Sequence, residues 1–455
     1  MPEAGSLPAA SLFSQIDFGQ GAVAAVSGGS DSTALLVLLK DHFDRFLPSA
    51  RLLAVTVDHA LRPASAEEAQ AVARLCARLG VAHRTVVWGE PKPSVGLPAA
   101  AREARYRLLA DAARSAGLNI VLTAHTADDQ AETVFMRQAR QEGRGLAGMA
   151  PATLYDGNVW LLRPLLGERR SALRVFLTSR GLGWIDDPTN LDIAFERPRV
   201  RATLAEDEGR FEDLLAVAAA VGREREDLDR RTAILVERHA TRPARGLIRL
   251  DPAFAVDTDR EAALHVLRIL LATAGGTSFL PDEGRVAELY AALSPGKGRA
   301  TLSRTVMDVR RAGIFLYREA RGLPEPSSPV DGSLWDGRYR ITFRDDVSGS
   351  VIAPFGRQAH STVADPELAG VPESVFRTAC AAEPALWRNN SCLGLLKSGK
   401  GSPTVTAVPV VAPFAHFLPA FDLRVAGAAS ALVGASSIPI SPLSLRKNVK
   451  ASANA

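Results

Sequence analysis

The sequence predicts an α/β protein. A parallel-sheet domain over residues 1–205 is followed by a mostly helical middle domain over 206–325. A small β-rich C-terminal domain over 326–440 and a basic tail over 441–455 complete it. Three observations carry this reading. In the first 150 residues, short apolar runs alternate with helical stretches, the rhythm of strands that pair in parallel beneath crossover helices. Residues 211–239 keep Leu214, Val217, Ala218 and Val221 on one face at helical spacing. Beyond residue 323, Pro, Gly and short β-type runs such as 339–343 and 405–411 take over.

The elements follow in order. Residues 22–26 are an apolar run, read as a buried strand, and 27–32 are a Gly/Ser turn. Residues 33–40 are leucine-rich and helical. A second strand spans 52–57, and 65–79 carry helical spacing through Ala69, Val72, Leu75, Cys76 and Leu79. Residues 85–88 form a third strand, about 98–116 a helix, 120–123 a fourth strand and about 128–139 a helix. From 143 to 201 the chain reads as loop, with scattered arginines. A helix over 261–274 and a strand-like pattern over 298–317 follow, and no internal repeat appears.

Composition narrows the function classes. The 455 residues carry 54 Lys+Arg against 50 Asp+Glu, a formal charge of +4 that allows an anionic partner without demanding one. With 47% hydrophobic and 23% charged residues, wholesale disorder, collagen and coiled coil are excluded. Cys76, Cys380 and Cys392 lie far apart with no CxxC, against a zinc ribbon, an iron–sulfur ligand set or a disulfide framework. The start Met-Pro-Glu shows no signal peptide, and Pro409, Pro413 and Pro419 break the most apolar late stretch. A cytoplasmic protein with no membrane partner is expected.

Chemistry concentrates at the carboxyl ends of the predicted strands, where ligands of such sheets bind. Ser27-Gly28-Gly29-Ser30-Asp31-Ser32 follows the first strand and opens a helix. Glycines let backbone approach a phosphate, and a helix N-terminus offers N–H groups and a favourable dipole. The hydroxyls of Ser27, Ser30 and Ser32 can donate to phosphate oxygens. Asp31 should repel phosphate unless it holds Mg²⁺ that bridges to it. The loop lacks the Gly-Lys-Ser/Thr ending of a Walker A motif. The bland alternative is a Ser/Gly turn that caps a helix; strand before and helix after favour phosphate.

Further sets follow. Asp58-His59-Ala60-Leu61-Arg62 ends the second strand, Ala101-Arg102-Glu103-Ala104-Arg105-Tyr106 opens the third helix, and residues 125–133, from His125 to Thr133, follow the fourth strand. Asp129 and Glu132, three apart on a helix, share a face and could hold a cation or a substrate amine. They could equally serve only the helix dipole, and His125 could be a satisfied loop histidine. Arg144 and Arg163 flank a glycine loop and a Pro-Leu-Leu, and Asp187-Pro188-Thr189-Asn190 precedes Arg197, Arg199 and Arg201. Clustered arginines suit a phosphate or carboxylate, or a solvated loop with surface ion pairs.

The hexapeptide resembles the SGGxDS pyrophosphate loop of the N-type ATP pyrophosphatases, the PP-loop superfamily, which cleave ATP between the α- and β-phosphates. The ordered series over residues 20–205 resembles the bacterial tRNA(Ile)-lysidine synthases. The region 205–320 matches that family in helical character and a final β pair. Two departures stand out: Gln141-Glu142 in place of Gly-Ser, and Pro198 where Asn usually follows the arginine.

The resemblance implies an ATP-dependent ligase that forms lysidine at the wobble cytidine of the CAU-anticodon isoleucine tRNA. Its substrates would be tRNA, free L-lysine and ATP, with Mg²⁺, and a homodimer is an allowed assembly. Residues 27–32 would bind the phosphates, and Asp31 and Asp129 the metal. Asp31, Arg105, His125, Asp129 and Glu132 would be catalytic, and Asp58, His59, Arg62, Asn190, Arg197 and Arg201 would meet substrate. Sulfur-transferring relatives need reactive cysteines, and Cys76 lies mid-helix on an apolar face. Met1-Pro2 excludes an N-terminal cysteine nucleophile of the glutamine-dependent members. The remaining alternatives are another tRNA-modifying or amide-forming PP-loop enzyme, or a non-catalytic nucleotide- or RNA-binding relative. The latter would lose Asp31, His125 or the Asp129/Glu132 pair, and all are present.

Overall fold

The computed structural model describes residues 9–61, 65–140, 143–186, 194, 196–293, 298–343, 347–361, 370–396 and 405–444. By its internal contacts the chain divides into two compact units. The first holds Met1–Arg225 with two short late pieces, and the second holds Glu226–Leu418 and Asp422–Ile438.

In the first unit a short helix α1 (Ala9–Phe13) precedes the alternating elements. These are β1 (Gly21–Ala25), α2 (Ser30–Phe46), β2 (Arg51–Asp58), α3 (Ser65–Leu79), β3 (Ala82–Val87), α4 (Leu97–Ser115), β4 (Ile120–Leu122) and α5 (Ala127–Ala139). Then come β5 (Ala152–Tyr155), β6 (Val159–Leu162), α6 (Arg170–Ser179) and α7 (Glu196–Ala205). Strands β1 to β6 of this sheet run in the order β5-β6-β4-β1-β2-β3, and they pair in parallel except β5 with β6. β1 is buried throughout because it lies between β2 and β4 with helices over its faces, which is why it reads as an unbroken apolar run. Val23, Ala25, Val121 and Leu161 share one core with Tyr106, Leu109 and Ala113 of α4. The chain moves outward from β1 to β3, then returns to place β4 on the other side of β1. The crevice between β1 and β4 is thus the switch point where such sheets bind ligands.

The expectation of loop over 143–201 is corrected by β5, β6, α6 and α7. The strands have four residues each, and α6 starts after Arg169, which supplies no side-chain cap, so neither gives a sequence signal. Arg163, the residue after β6, packs against the sheet rather than lying in a solvated loop. It is buried and donates to the Ala150 carbonyl at 2.7 Å and the Thr153 hydroxyl at 3.0 Å. Gln141 and Glu142 lie outside the described residues, as do Arg62, Asn190 and the tail from 445.

The helix α8 (Glu208–His239) confirms the long helical stretch, and the boundary between the units falls within it. On its first half, Phe211, Leu214 and Ala218 join Ala131 and Val134 of α5 and Val200 and Leu204 of α7 in one cluster. In the second unit, β7 (Ala240–Ala244), β8 (Leu247–Leu250), β9 (Gly298–Leu302), β10 (Thr305–Arg310) and β11 (Gly313–Arg318) form an antiparallel sheet, order β7-β8-β11-β10-β9. It packs on α9 (Arg260–Gly275), while α10 (Glu283–Ala291) flanks α9. Beyond it lie two three-stranded sheets with α11 (Glu373–Ala381), and α12 (Leu423–Val433) closes the unit. One sheet has β12 (Leu334–Trp335), β13 (Tyr339–Phe343) and β17 (Val405–Pro409); the other has β14 (Ser350–Pro354), β15 (Pro384–Arg388) and β16 (Ser391–Leu395). The β-rich C-terminal region is therefore as the sequence predicts.

Candidate active site

The loop after β1 is held from within. The Ser27 amide donates to the Ser32 hydroxyl at 3.1 Å, Ser32 Oγ donates to the Gly29 carbonyl at 3.1 Å, and Thr33 Oγ1 donates to the Gly28 carbonyl at 3.2 Å. Gly28 has φ +88°, and a Cβ there would lie 2.7 Å from the Ile185 side chain. Only glycine fits both demands. Gly29 is the N-cap of α2 and gives no side chain to cap it, which leaves the first turn to an outside anion.

Across the crevice, Thr126 starts α5 with a reciprocal cap. Its amide and hydroxyl donate to Asp129 Oδ2 at 2.9 and 3.0 Å, and its Oγ1 accepts from the Asp129 amide at 3.4 Å. Asp129 therefore does serve the helix, yet its other oxygen is committed elsewhere. Oδ1 accepts from Arg170 Nη2 at 3.0 Å. Burial alone would raise the Asp129 carboxyl; Arg170 and the Thr126 amide outweigh it and hold the pKa below the usual carboxylate range.

Arg170 also reaches the phosphate loop, with Nε 2.9 Å from Asp31 Oδ2, and its Nη1 lies 3.6 Å from Glu132 Oε1. Its backbone amide donates to Asp128 Oδ2 at 2.8 Å, so two adjacent aspartates fix its main chain and its side chain. Asp31, Asp129 and Glu132 thus meet at one guanidinium. Glu132 is 1% exposed; Arg201 donates to its Oε1 at 2.8 Å, and among the described residues its Oε2 takes no hydrogen bond. A carboxylate this buried is more than a helix-dipole residue, which needs only an exposed first turn.

His125 stands beside this cluster. Its Nδ1 is 3.0 Å from Thr123 Oγ1, whose proton goes to the Leu162 carbonyl at 3.3 Å. Nδ1 is then the donor and Nε2 keeps the lone pair. Burial, then the charges of Arg163 and Arg105, push the imidazole down to about 3. Burial and Arg105 also lower His59, so Arg105 acts on both histidines. His59 meets Trp88 edge-on with centroids 6.0 Å apart, and Lys92 Nζ lies 4.1 Å over the same ring. Asp58 Oδ1 accepts from the Ala60 amide at 2.8 Å and shapes the turn after β2.

The sequence-predicted residues therefore separate. Asp31, Asp129, Glu132 and Arg201 converge; His125 and Arg105 act on one another; Asp58 and His59 lie at the end of β2. Arg197 is exposed on α7, one turn before Arg201. Pro198 sits in the first turn of α7, where the missing N–H has no intrahelical partner to lose. Sequence reasoning missed Arg170, and it also missed Gln130. The Gln130 amide accepts from the Met149 amide at 2.8 Å and donates to its carbonyl at 3.2 Å, over Gly148, whose Cβ would collide with it at 2.6 Å. That pairing ties α5 to the loop before β5.

A PP-loop α/β domain with acidic residues facing its phosphate loop is the class that these features define, and residues 9–208 match the PP-loop domain family. The chain is 57% identical to the tRNA(Ile)-lysidine synthase of Mesorhizobium japonicum, over 95% of this chain and 96% of that one. It is 37% identical to that of Rhizobium meliloti, over 92% and 93%. The chain belongs to the tRNA(Ile)-lysidine synthase family. Among solved structures it is similar to the U34-tRNA thiolase NcsA from Methanococcus maripaludis, with 15% identity, TM-score 0.40, and 47% of this chain and 77% of that one covered. In this chain Cys76 is fully buried and burial pushes its thiol up to about 11, an unreactive state.

Proposed function

We infer that this chain ligates lysine to C2 of the wobble cytidine of the CAU-anticodon isoleucine tRNA. ATP adenylates the cytidine carbonyl oxygen with release of pyrophosphate, and the lysine ε-amine then displaces AMP, forming lysidine. The observation that carries this reading is the meeting of the phosphate-loop residue Asp31 with Asp129 and Glu132 at one point of the β1/β4 crevice. An ATP α-phosphate over the loop and a cationic amine near the α5 carboxylates would then be neighbours. Residues 27–32 bind the phosphates. A carboxylate of the pair takes a proton from the lysine ammonium, which must be neutral to attack. His125 and Arg105, close to the carboxylate pair, would act beside it in the same reaction.

Asp31 and Asp129 suit Mg²⁺. Both are oxygen donors and both already face a single cationic group. Mg²⁺ takes one or two carboxylates and completes its shell with phosphates and water. The bound ion would offset charge on the departing pyrophosphate.

Residues 1–205 carry the chemistry, and 206–325, 326–440 and the basic tail grip tRNA through its phosphates. Among the described residues no helix is long and apolar enough to cross a membrane, and a tRNA substrate puts the work in the cytoplasm. The test is incubation with ATP, Mg²⁺, labelled lysine and unmodified isoleucine tRNA. Label in the RNA is expected, dependent on ATP and Mg²⁺; RNA without label would overturn the reading.

A further inference from the structure

The Arg170 guanidinium offers each of its nitrogens to a different carboxylate: Nε to Asp31 at 2.9 Å, Nη2 to Asp129 at 3.0 Å and Nη1 to Glu132 at 3.6 Å. These come from α2 and α5, two elements distant in sequence, while Arg170 is the first residue of α6. The side chain is 15% exposed and the carboxylates 19%, 14% and 2%, so solvent screens the group weakly. Among the described residues Arg201 is the other cation paired with the cluster, through Glu132. Three formal negative charges against two positive leave one in excess, and the buried Glu132 Oε2 is still without a hydrogen bond among the described residues.

We propose that Arg170 is the resting counter-ion of the Asp31–Asp129–Glu132 cluster and a positioning residue for it. It fixes the spacing between the phosphate-loop helix and α5, and it limits the cluster to a single added cation by occupying the place a second would take. A guanidinium suits this task because its rigid fork reaches carboxylates on several sides and cannot lose its proton. Arg170 gives up part of its contact with Asp31 or Asp129 when a free cation enters. The assignment rests on the reading of these carboxylates as substrate- and cation-facing groups.

The test is Mn²⁺ binding to the full chain without nucleotide, lysine or tRNA, read from the electron paramagnetic resonance of free Mn²⁺. Arg170→Gln removes the tethered competitor. It should bind Mn²⁺ tighter than the parent by about tenfold or more, a modest figure for one unit charge withdrawn at hydrogen-bond distance. Arg170→Lys keeps the charge and should stay near the parent. Adding Asp31→Asn to Arg170→Gln should erase the gain. If Arg170→Gln does not fold by circular dichroism, Arg170→Gln with Asp129→Asn removes one charge of each sign and is compared with Asp129→Asn alone, against which it should gain. Equal Mn²⁺ affinity in the folded variant and its reference overturns the proposal. The titration needs no turnover, so it is separable from the lysine assay: unlabelled RNA with a Mn²⁺ gain rejects lysidine formation and keeps Arg170, and labelled RNA without the gain does the reverse.

Discussion

The Ile185 amide donates to the Gly28 carbonyl at 2.9 Å, and Ile185 Cδ1 fills the space a Cβ on Gly28 would need. The phosphate loop is thereby braced by a residue that arrives after β1 to β6 are complete. Gly28→Ala meets both a positive φ and this contact, a strain of about 1–3 kcal/mol. ATP affinity, measured by calorimetry, should fall by about tenfold. Ile185→Ala added to that variant should restore part of the loss, and an unchanged ATP affinity in Gly28→Ala would contradict the brace.

Asp31 lies on the loop itself and faces the α5 carboxylates through Arg170. If it holds Mg²⁺, Asp31→Asn should abolish pyrophosphate release while circular dichroism stays that of the parent. Normal turnover would reject the assignment.

Variants of the acidic pair would separate two steps. Glu132→Gln should cut lysine incorporation by orders of magnitude with tRNA affinity preserved. Accumulation of adenylated tRNA would assign Glu132 to the lysine step, and loss of adenylation as well would assign it to the metal. A helix-dipole role is worth only about 0.3–1 kcal/mol of stability and would leave activity near normal. Normal incorporation by both Asp129→Asn and Glu132→Gln would refute the site.

His125 makes a pH prediction. Its folded pKa is depressed to about 3, so the unfolded chain binds more protons as pH falls below the ordinary histidine value. Stability from this group is full above about 6.5 and is lost progressively toward 3. His42, His59 and His83, also lowered by burial, push the same way. His125→Asn should therefore lose less melting temperature between pH 7 and pH 5 than the parent; an equal loss would count against the buried neutral imidazole.

Salt distinguishes the partners. If tRNA is held through its phosphates, log K should fall linearly with log salt, while ATP and lysine affinities change far less. A flat tRNA curve would point to a small-molecule substrate instead.

Much of this was readable in the sequence because it is local. The apolar run of β1, the loop that follows it and the helical spacing of Asp129 and Glu132 are each set within a few residues. Glu132 looked as if it could be a first-turn dipole residue, and only packing shows it buried against Arg201. Arg170 was hidden for a different reason. It opens a helix with no cap signal, in a stretch whose strands have four residues, and its partners lie far away in the chain. No periodicity reports such a contact. Gln130 was hidden likewise, since its bond to Met149 is made between a helix and a loop.

That distance matters when the protein is made. Asp31 and Arg170 are separated by 139 residues. At about 5–20 residues per second, synthesis delivers the arginine about 7–28 s after the aspartate. By the end of that interval the nascent chain holds β1, β4 and α5 with Asp31, Asp129 and Glu132, but not the arginine that ties these carboxylates together. The ribosome therefore releases these carboxylates before the arginines that join them.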